Sequence, residues 1–155
     1  MSARLVLSSL AGVAVLGGAA LATVTLVGTA DAAATHPTID KATATSLVLA
    51  DSGTKTFTFT ATVTDNSGIR SVKVLPWPAS SKLNPKAAEM KHVESATCKA
   101  TSTRTSVCTY TTPVNKDAAV SPTGTWNTAV LVTAKDGDTT YDAKATTFTV
   151  TRTNH

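Results

Sequence analysis

The sequence predicts an all-β fold, in which about seven short strands form a β-sandwich and one short helix lies in a crossover. Apolar and polar residues alternate with period two in several segments, as they do in strands that bury one face. Clusters of Asp, Asn, Ser and Gly separate these segments and mark turns. Threonine, whose branched side chain suits the solvent face of a sheet, fills many of the polar positions. A chain of 155 residues is consistent with one domain.

Residues 1–32 are predicted to be a secretory signal peptide, because they carry one basic residue, Arg4, and no further charge before Asp31. The segment ends in ADA, an A-x-A cleavage pattern, so we expect cleavage after Ala32, with the ALA at residues 20–22 as a second candidate. The alternative is an uncleaved membrane anchor, since the uncharged run is long enough to span a bilayer of about 30 Å. The Gly, Ser and Thr content and the small residues at its end favour cleavage.

The chain that remains after cleavage keeps a net charge of +4, because Arg4 and Asp31 are lost together. Its Lys and Arg residues are spread along the sequence, and no window interleaves them with aromatic residues. A surface that follows phosphates is therefore not indicated, and we expect no nucleic-acid partner. We also expect no attachment to the membrane once the signal peptide is removed.

Catalytic motifs are missing from the sequence, which contains no G-x-S-x-G, no H-E-x-x-H and no Gly-rich phosphate loop. His36 and His155 lie near the ends of the mature chain, and His92 ends the predicted helix. No nucleophile, base and orienting residue can be named as a set. We therefore expect neither enzymatic activity nor a cofactor.

The predicted sandwich spans residues 45–152 and follows a flexible N-terminal segment at residues 33–44. Its first strand is TSLVLA, which ends at the turn signal DSG. The second is KTFTFTATVT, where threonines alternate with an apolar face made of Phe57, Phe59, Ala61 and Val63. After the DNSG turn, IRSVKVLP is the third strand, and the prolines of the following PWP are expected to break the sheet pattern.

The segment LNPKAAEMKHV is predicted to form the crossover helix. Asn84 is a suitable N-cap, and Pro85 suits the first helical position. Leu83, Ala87 and Met90 would then face the same way. We expect one short helix or a few turns between the third strand and the hairpin that follows.

Two cysteines mark that hairpin, VESATCKATSTRTSVCTYTT. If Cys98 lies opposite Cys108, residues 102–104 form a three-residue tip, which is a common hairpin length. Export of the chain favours a disulfide, and opposed residues on adjacent strands can meet the Cα spacing that a disulfide needs. Because the closed loop is short, we expect the disulfide to stabilise the fold by about 2–3 kcal/mol.

The last two strands are predicted to form a hairpin that closes the chain. GTWNTAVLVTAK is followed by the loop DGDTTYD and by the strand AKATTFTVT. The expected core residues of these strands are Trp126, Val130, Val132, Ala134, Phe148 and Val150.

The stretches TFTFTATVTDNSGIRSVKV and GTWNTAVLVTAKDGDTTYDAKATTFTV resemble the early strands and the last two strands of bacterial immunoglobulin-like domains. The resemblance implies an immunoglobulin-like β-sandwich and covers about two-thirds of the mature chain. The cysteines depart from antibody domains, because they are too close in sequence to join the two sheets. The VESATCKAT hairpin is also similar to small secreted actinobacterial proteins, a resemblance that implies no particular activity.

Three carboxylates fall in the loop AKDGDTTYDA, those of Asp136, Asp138 and Asp142. With backbone carbonyls and nearby hydroxyls they are candidate ligands of calcium, which takes roughly six to eight oxygens. The spacing does not fit an EF-hand, because Tyr141 occupies the sixth position and Thr147 the twelfth. The other interpretation is a plain hairpin loop, in which Asp and Gly adopt left-handed backbone angles.

The cystine hairpin also carries two basic residues, Lys99 and Arg104. A rigid loop that presents a basic residue is how several inhibitors bind trypsin-like proteases, so an inhibitory loop is one hypothesis. The other is a structural role, in which the disulfide only stabilises a small secreted domain.

Trp77 lies between two prolines in PWP. One hypothesis is an exposed ring that stacks on a sugar, and the other is a ring that closes one end of the sandwich.

The sequence thus indicates a secreted, non-catalytic β-sandwich with a binding or structural role outside the cell. Its partner would be an extracellular protein or glycan. The alternatives are a secreted protease inhibitor that uses the cystine hairpin and a calcium-dependent extracellular module.

Overall fold

A computed structural model describes residues 35–50, 53–114 and 122–153. The chain divides into two units, Met1–Asp31 and Ala32–His155, and the described residues all belong to the second. The predicted signal peptide at residues 1–32 lies outside the described residues. Within the described ranges, no helix combines the length and the apolar character that crossing a membrane requires.

In the described ranges, eight strands form two four-stranded sheets. The first sheet has the order β1-β3-β6-β5 and the second has the order β2-β8-β7-β4. Their bounds are β1 Thr38–Ala44, β2 Leu47–Leu49, β3 Lys55–Thr64, β4 Ile69–Pro78, β5 Thr97–Ala100, β6 Thr105–Val114, β7 Gly124–Ala134 and β8 Thr139–Arg152. Neighbouring strands are antiparallel except β2 and β8, which run parallel.

This strand order is that of an immunoglobulin-like sandwich, where strands A, B, E and D form one sheet and C, F and G the other. In the first sheet β1, β3, β6 and β5 take the places of A, B, E and D. In the second, β4, β7 and β8 take those of C, F and G, and β2 adds a strand beside β8. The predicted fold class is confirmed. The described residues contain one more strand than expected: the predicted first strand, TSLVLA, corresponds to β2, and β1 precedes it.

The N-terminal part of the sandwich begins earlier than predicted. Residues 33–44 were expected to be flexible, but β1 occupies residues 38–44 and pairs with β3. A bulge between Asp40 and Thr43, with Lys41 at a φ of 50°, puts Ile39 and Ala42 on the core side although they are three residues apart. The bulge interrupts the period of two on which strand prediction depends.

The main core lies between the sheets and contains the side chains that alternate along β3. Phe57, Phe59, Ala61 and Val63 are each at most 1% exposed. They face the buried valines of the second sheet, which are Val72, Val74, Val130 and Val132, and the ring of Phe148 lies 4.6 Å from that of Phe57 between centroids. The core residues predicted on β3 are therefore confirmed.

The prolines of PWP do not end β4, which continues through Pro76 to Pro78. The strand lies at the edge of its sheet. The backbone N–H and C=O groups of its even-numbered residues point away from β7. For example, Val74 N donates to Glu94 O (3.3 Å), and Val72 O accepts from Ala96 N (2.8 Å). Both prolines are even-numbered, so they lack an N–H only on the open side of the strand. The expectation that they break the sheet was wrong for this reason.

A second apolar cluster covers the outer face of the second sheet, and consists of Trp77, Met90, Ala129 and Leu131. The crossover between β4 and β5 lies over this face and contains a single 3-10 helix, Glu89–His92. The helix is shorter than predicted and starts later, with Ala88 rather than Asn84 as N-cap. Because β7 contributes to both clusters, it is buried on both faces.

Tyr141 anchors the crossover, because its hydroxyl donates a hydrogen bond to the carbonyl of Pro85. Burial raises the pKa of Tyr141, and the carboxylates of Glu89 and Asp142 raise it further. The folded state therefore favours the neutral phenol, a contribution to stability that is present below about pH 10 and is lost as the pH rises through the raised pKa.

We expect the melting temperature to fall as the pH rises above about 10, and to fall less steeply in the Tyr141→Phe variant. The measurement is thermal unfolding followed by circular dichroism across this pH range. If the melting temperature fell equally steeply with pH in the two proteins, Tyr141 would not contribute to the pH dependence of stability.

Candidate functional site

Three turns meet at one end of the sandwich, and we call this surface the loop end. It consists of the β3–β4 turn at residues 65–68, the hairpin tip at residues 101–104 and the β7–β8 turn at residues 135–138. Backbone hydrogen bonds tie the turns together: Asp65 N donates to Arg104 O (2.9 Å) and Lys135 N donates to Gly68 O (2.9 Å). Loops from both sheets are thus fixed relative to one another.

Asp65 is a buried carboxylate within the loop end. It comes two residues after Val63, continues the inward-facing row of β3 and is 3% exposed. Its Oδ1 accepts hydrogen bonds from the backbone N–H (2.7 Å) and the hydroxyl (2.6 Å) of Ser67. Its Oδ2 has no hydrogen-bond partner in the described part of the chain. A buried polar atom without a partner is costly, so Asp65 is the polar group most in need of a further contact here.

Gly68 allows the close approach of the three turns. Its φ of 87° is in the left-handed region, and a Cβ atom there would lie 2.9 Å from the carbonyl oxygen of Thr103 and 3.4 Å from Nζ of Lys135. Only glycine therefore satisfies both the backbone angle and the space.

We expect Gly68→Ala to lower the free energy of unfolding by about 2–3 kcal/mol, because strain in the backbone adds to a backbone clash. Gly137→Ala is the matched control, since Gly137 also has a positive φ (104°) but has no neighbour within 4 Å. The free energy of unfolding of Gly137→Ala should fall by only about 1 kcal/mol. Urea unfolding measures both changes, and equal losses would show that the approach of Thr103 is unimportant.

The cystine hairpin has the predicted register. Cys98 pairs with Cys108 along the ladder, and their sulfurs form a disulfide of 2.04 Å. The tip is held by Ser102, whose Oγ accepts hydrogen bonds from the backbone N–H groups of Arg104 (3.2 Å) and Thr105 (3.0 Å). The predicted disulfide and hairpin are confirmed, and the tip is a tight turn.

The two basic residues proposed for an inhibitory loop lie in different settings. Lys99 is in β5, paired with Val107, whereas Arg104 is exposed at the tip. The carbonyl of Arg104 is already hydrogen-bonded to the N–H of Asp65. A substrate-like inhibitor inserts this carbonyl into the oxyanion hole of the protease, which the bond to Asp65 opposes.

The three candidate calcium ligands are not brought together. Oδ1 of Asp136 accepts a hydrogen bond from the N–H of Asp138 (3.1 Å), as in an ordinary Asx turn. Asp142 lies along β8, about 13 Å of extended chain beyond Asp138, and its Oδ1 accepts from Lys144 N (2.8 Å). Over the described ranges, no three His, Cys, Asp or Glu residues form a group that could hold a metal ion. The alternative prediction, a hairpin loop, matches this geometry.

Trp77 is neither exposed nor at the end of the sandwich. It is 6% exposed within the second cluster, and its indole N–H donates to the carbonyl of Ala143 (3.2 Å). A bulge in β8 at residues 143–145 provides this acceptor. With its ring covered by the crossover, Trp77 has no open face for stacking on a sugar, which corrects that hypothesis.

The loop end also contains a groove of about 370 Å³ that the sequence did not reveal. Its lining combines two apolar residues, Ile69 and Ala100, with Lys135 and with four residues that carry hydroxyls, Thr101, Ser102, Thr103 and Ser106. The hydroxyl-bearing residues and Lys135 come from segments that are far apart in the sequence, the hairpin and the β7–β8 turn, so no sequence motif predicts that they lie together. The groove presents hydroxyls and one ammonium group, which suits a polar ligand.

The fold and the disulfide define a cystine-stabilised immunoglobulin-like β-sandwich domain. The chain belongs to the Family of unknown function (DUF5707), whose model matches residues 39–132, more than half of the chain. The match begins in β1 and ends within β7. No curated protein matches the chain in sequence.

Among solved structures, the chain is similar to AggA, the major subunit of aggregative adherence fimbriae type I from Escherichia coli. The two sequences are 18% identical, and the similarity covers 76% of this chain and 94% of AggA, with a TM-score of 0.28. A TM-score of this size does not establish a common arrangement of strands, so the fold assignment rests on the strand order described above.

Proposed function

We propose that this protein is a secreted, non-catalytic module that binds an extracellular partner through its loop end. The observation that carries the proposal is the set of backbone hydrogen bonds that joins three turns around one groove. Loops held on a rigid β scaffold are where proteins commonly place binding residues. Because the turns are already ordered, a ligand loses little free energy in arranging them.

The chemistry of the groove favours a glycan as the partner. Four of its residues carry hydroxyls, and the cationic side chain of Lys135 lies at its edge. Hydroxyl groups both donate and accept hydrogen bonds, which matches the hydroxyls of a sugar. Asp65, whose Oδ2 has no hydrogen-bond partner among the described residues, lies in the adjoining turn. A protein partner with a polar surface is the other outcome that a binding experiment distinguishes.

Secretion is part of the proposal. The disulfide between Cys98 and Cys108 supports it, because disulfides persist mainly in oxidising environments. The N-terminal sequence supports it as well, since residues 1–32 have the pattern of a signal peptide. The proposal of a non-catalytic role depends on the sequence, in which no nucleophile, base and orienting residue form a set.

The experiment is a glycan array probed with the purified protein, followed by titration calorimetry with any glycan bound. Lys135→Ala should weaken binding by about fivefold or more, since it removes a charged donor from the groove. Lys144→Ala is the matched control, because Lys144 is exposed on β8 and does not line the groove. Equal loss in both variants would contradict the groove as the binding site, and binding to no glycan would leave a protein partner.

A protease inhibitor is the second candidate, and it depends on the exposed Arg104 at a rigid tip. It requires the bond between the Arg104 carbonyl and Asp65 N to break on binding. Slowed hydrolysis by trypsin at micromolar protein, abolished by Arg104→Ala, would favour it. Unchanged trypsin activity would remove it.

A further inference from the structure

The end of the sandwich opposite the loop end contains an apolar cavity of about 200 Å³ between the two sheets. It lies where β3 begins and β6 ends, whereas the loop end lies where β3 ends and β6 begins. Both sheets contribute to its lining, which includes Phe57, Tyr110 and Val114 from the first and Leu49, Trp126 and Phe148 from the second. The proposal below concerns this cavity and is independent of the groove.

An apolar void of this size is unusual in a small domain. Protein interiors are packed closely, with few voids larger than a water molecule. The residues that line an unfilled apolar cavity lose packing contacts, and water inside it finds few hydrogen-bond partners. A ligand that supplies apolar atoms restores the missing contacts, so the cavity has a physical preference for an apolar occupant.

The volume limits the size of that occupant. A cavity of about 150 Å³ holds benzene, which has six carbons, so about 200 Å³ offers room for about eight carbons. The ten lining residues come from the interior faces of the strands, and Thr112 is the only one of them with an aliphatic hydroxyl. A short unbranched acyl chain fits both the volume and the lining.

A basic residue marks the mouth of the cavity. Lys55 alternates with Phe57 and Phe59 along β3, so its side chain is on the side that faces the cavity, and it pairs with Val114 in the lining. It is exposed. An acyl chain with an anionic end would therefore meet positive charge where it leaves the cavity.

We propose that this cavity binds the acyl chain of a medium-length fatty acid, with the carboxylate placed near Lys55. The apolar lining recognises the chain and the basic mouth selects the anionic end. The ligand enters between the sheets, where no hydrogen-bonded ladder has to open.

Trp126 provides the readout, because it lines the cavity, whereas the only other tryptophan, Trp77, lies in the second cluster on the outer face of its sheet. Octanoate is titrated against the wild-type protein and against Trp77→Phe, and Trp126 fluorescence is recorded. We expect the same saturable change in both proteins, together with a melting temperature that rises with octanoate concentration. If Trp77→Phe does not fold, the wild-type fluorescence and melting temperature still decide the outcome.

Two comparisons test the site itself. Leu49→Phe fills the cavity and should weaken octanoate binding at least tenfold, with folding checked by circular dichroism. Octanol, which lacks the charge, should bind about fivefold more weakly than octanoate, and Lys55→Gln should remove this preference. Lys99→Gln is the matched control, since Lys99 is exposed on the same sheet but paired with Val107 away from the cavity.

The outcomes are distinct from those of the glycan experiment. No saturable response to octanoate or octanol would overturn the proposal and indicate that residues of the chain itself fill the cavity. An unchanged octanoate affinity in Leu49→Phe would overturn the location. Vesicles of phosphatidylcholine that bind the protein while free octanoate does not would overturn the assignment to a free carboxylate.

Discussion

Replacing Phe59 by alanine is expected to lower the free energy of unfolding by about 3–5 kcal/mol. Phe59 is fully buried in the middle of β3, where it pairs with Tyr110 and faces the second sheet. The variant loses the transfer free energy of the ring and leaves a cavity that rigid strands cannot close. Because small domains are stable by only about 5–15 kcal/mol, this change removes a large share of the stability.

Thr60→Ala is the control for Phe59→Ala. Thr60 is the next residue of β3, and its side chain lies on the outer face of the first sheet. Its loss should change the free energy of unfolding by less than about 1 kcal/mol, since nothing in the core is disturbed. Urea unfolding followed by tryptophan fluorescence measures both variants. Similar losses would mean that the two faces of β3 are not buried as described.

Removing the disulfide by the double change Cys98→Ala and Cys108→Ala is expected to cost about 2–3 kcal/mol. The bond closes a loop with a sequence separation of 10 residues, which limits the entropy that it removes from the unfolded chain. Cys108 is also fully buried, so the variant loses some packing in the core. Thermal unfolding with and without reductant provides the measurement.

A reductant should lower the melting temperature of the wild-type protein and leave that of the double variant unchanged. A double variant as stable as the wild type would contradict the stabilising role of the disulfide. The ladder between β5 and β6 would then be sufficient to hold the hairpin, with Ala100 still opposite Ser106.

The parts of the fold that were predicted correctly are those with local patterns. The alternation of Phe57, Phe59, Ala61 and Val63 defines one face of β3 within a single stretch of chain. Cys98 and Cys108 are an even number of positions apart, so that placing them opposite each other leaves a three-residue tip and defines the register of the hairpin. In both cases neighbours in sequence carry the information, so no knowledge of distant contacts was needed.

The parts that were missed depend on contacts between distant segments. Pro76 and Pro78 are tolerated because β4 is an edge strand, which depends on the order of the whole sheet. Leu131 is buried because the crossover covers the outer face of the second sheet. Apolar and polar residues that alternate with a period of two predict that one face of a strand is buried. They do not indicate whether the opposite face is buried as well.

The candidate site was predicted in part, through its turns. DNSG, the cystine tip and DGD were each expected as turns, and the structure shows that hydrogen bonds join them. The groove residues Ser106 and Lys135 were not expected, because their proximity depends on how the two sheets pack. Asp136 and Asp142 are separated for a local reason: β8 begins at Thr139, so Asp142 lies on the strand and not in the loop that was expected to contain it.

The parallel pairing of β2 with β8 gives the domain a mechanical property. β2 lies near the N-terminal side of the sandwich and β8 at its C-terminal side, and Leu47, Val48 and Leu49 pair with Val150, Thr151 and Arg152. Tension applied where the chain enters β2 and where it leaves β8 pulls these two strands in opposite directions along their length. Their hydrogen bonds are then loaded in shear and must break together, whereas a ladder pulled from one end opens bond by bond. The parallel pairing therefore resists a force that pulls β2 and β8 along the chain more strongly than a ladder that opens from one end.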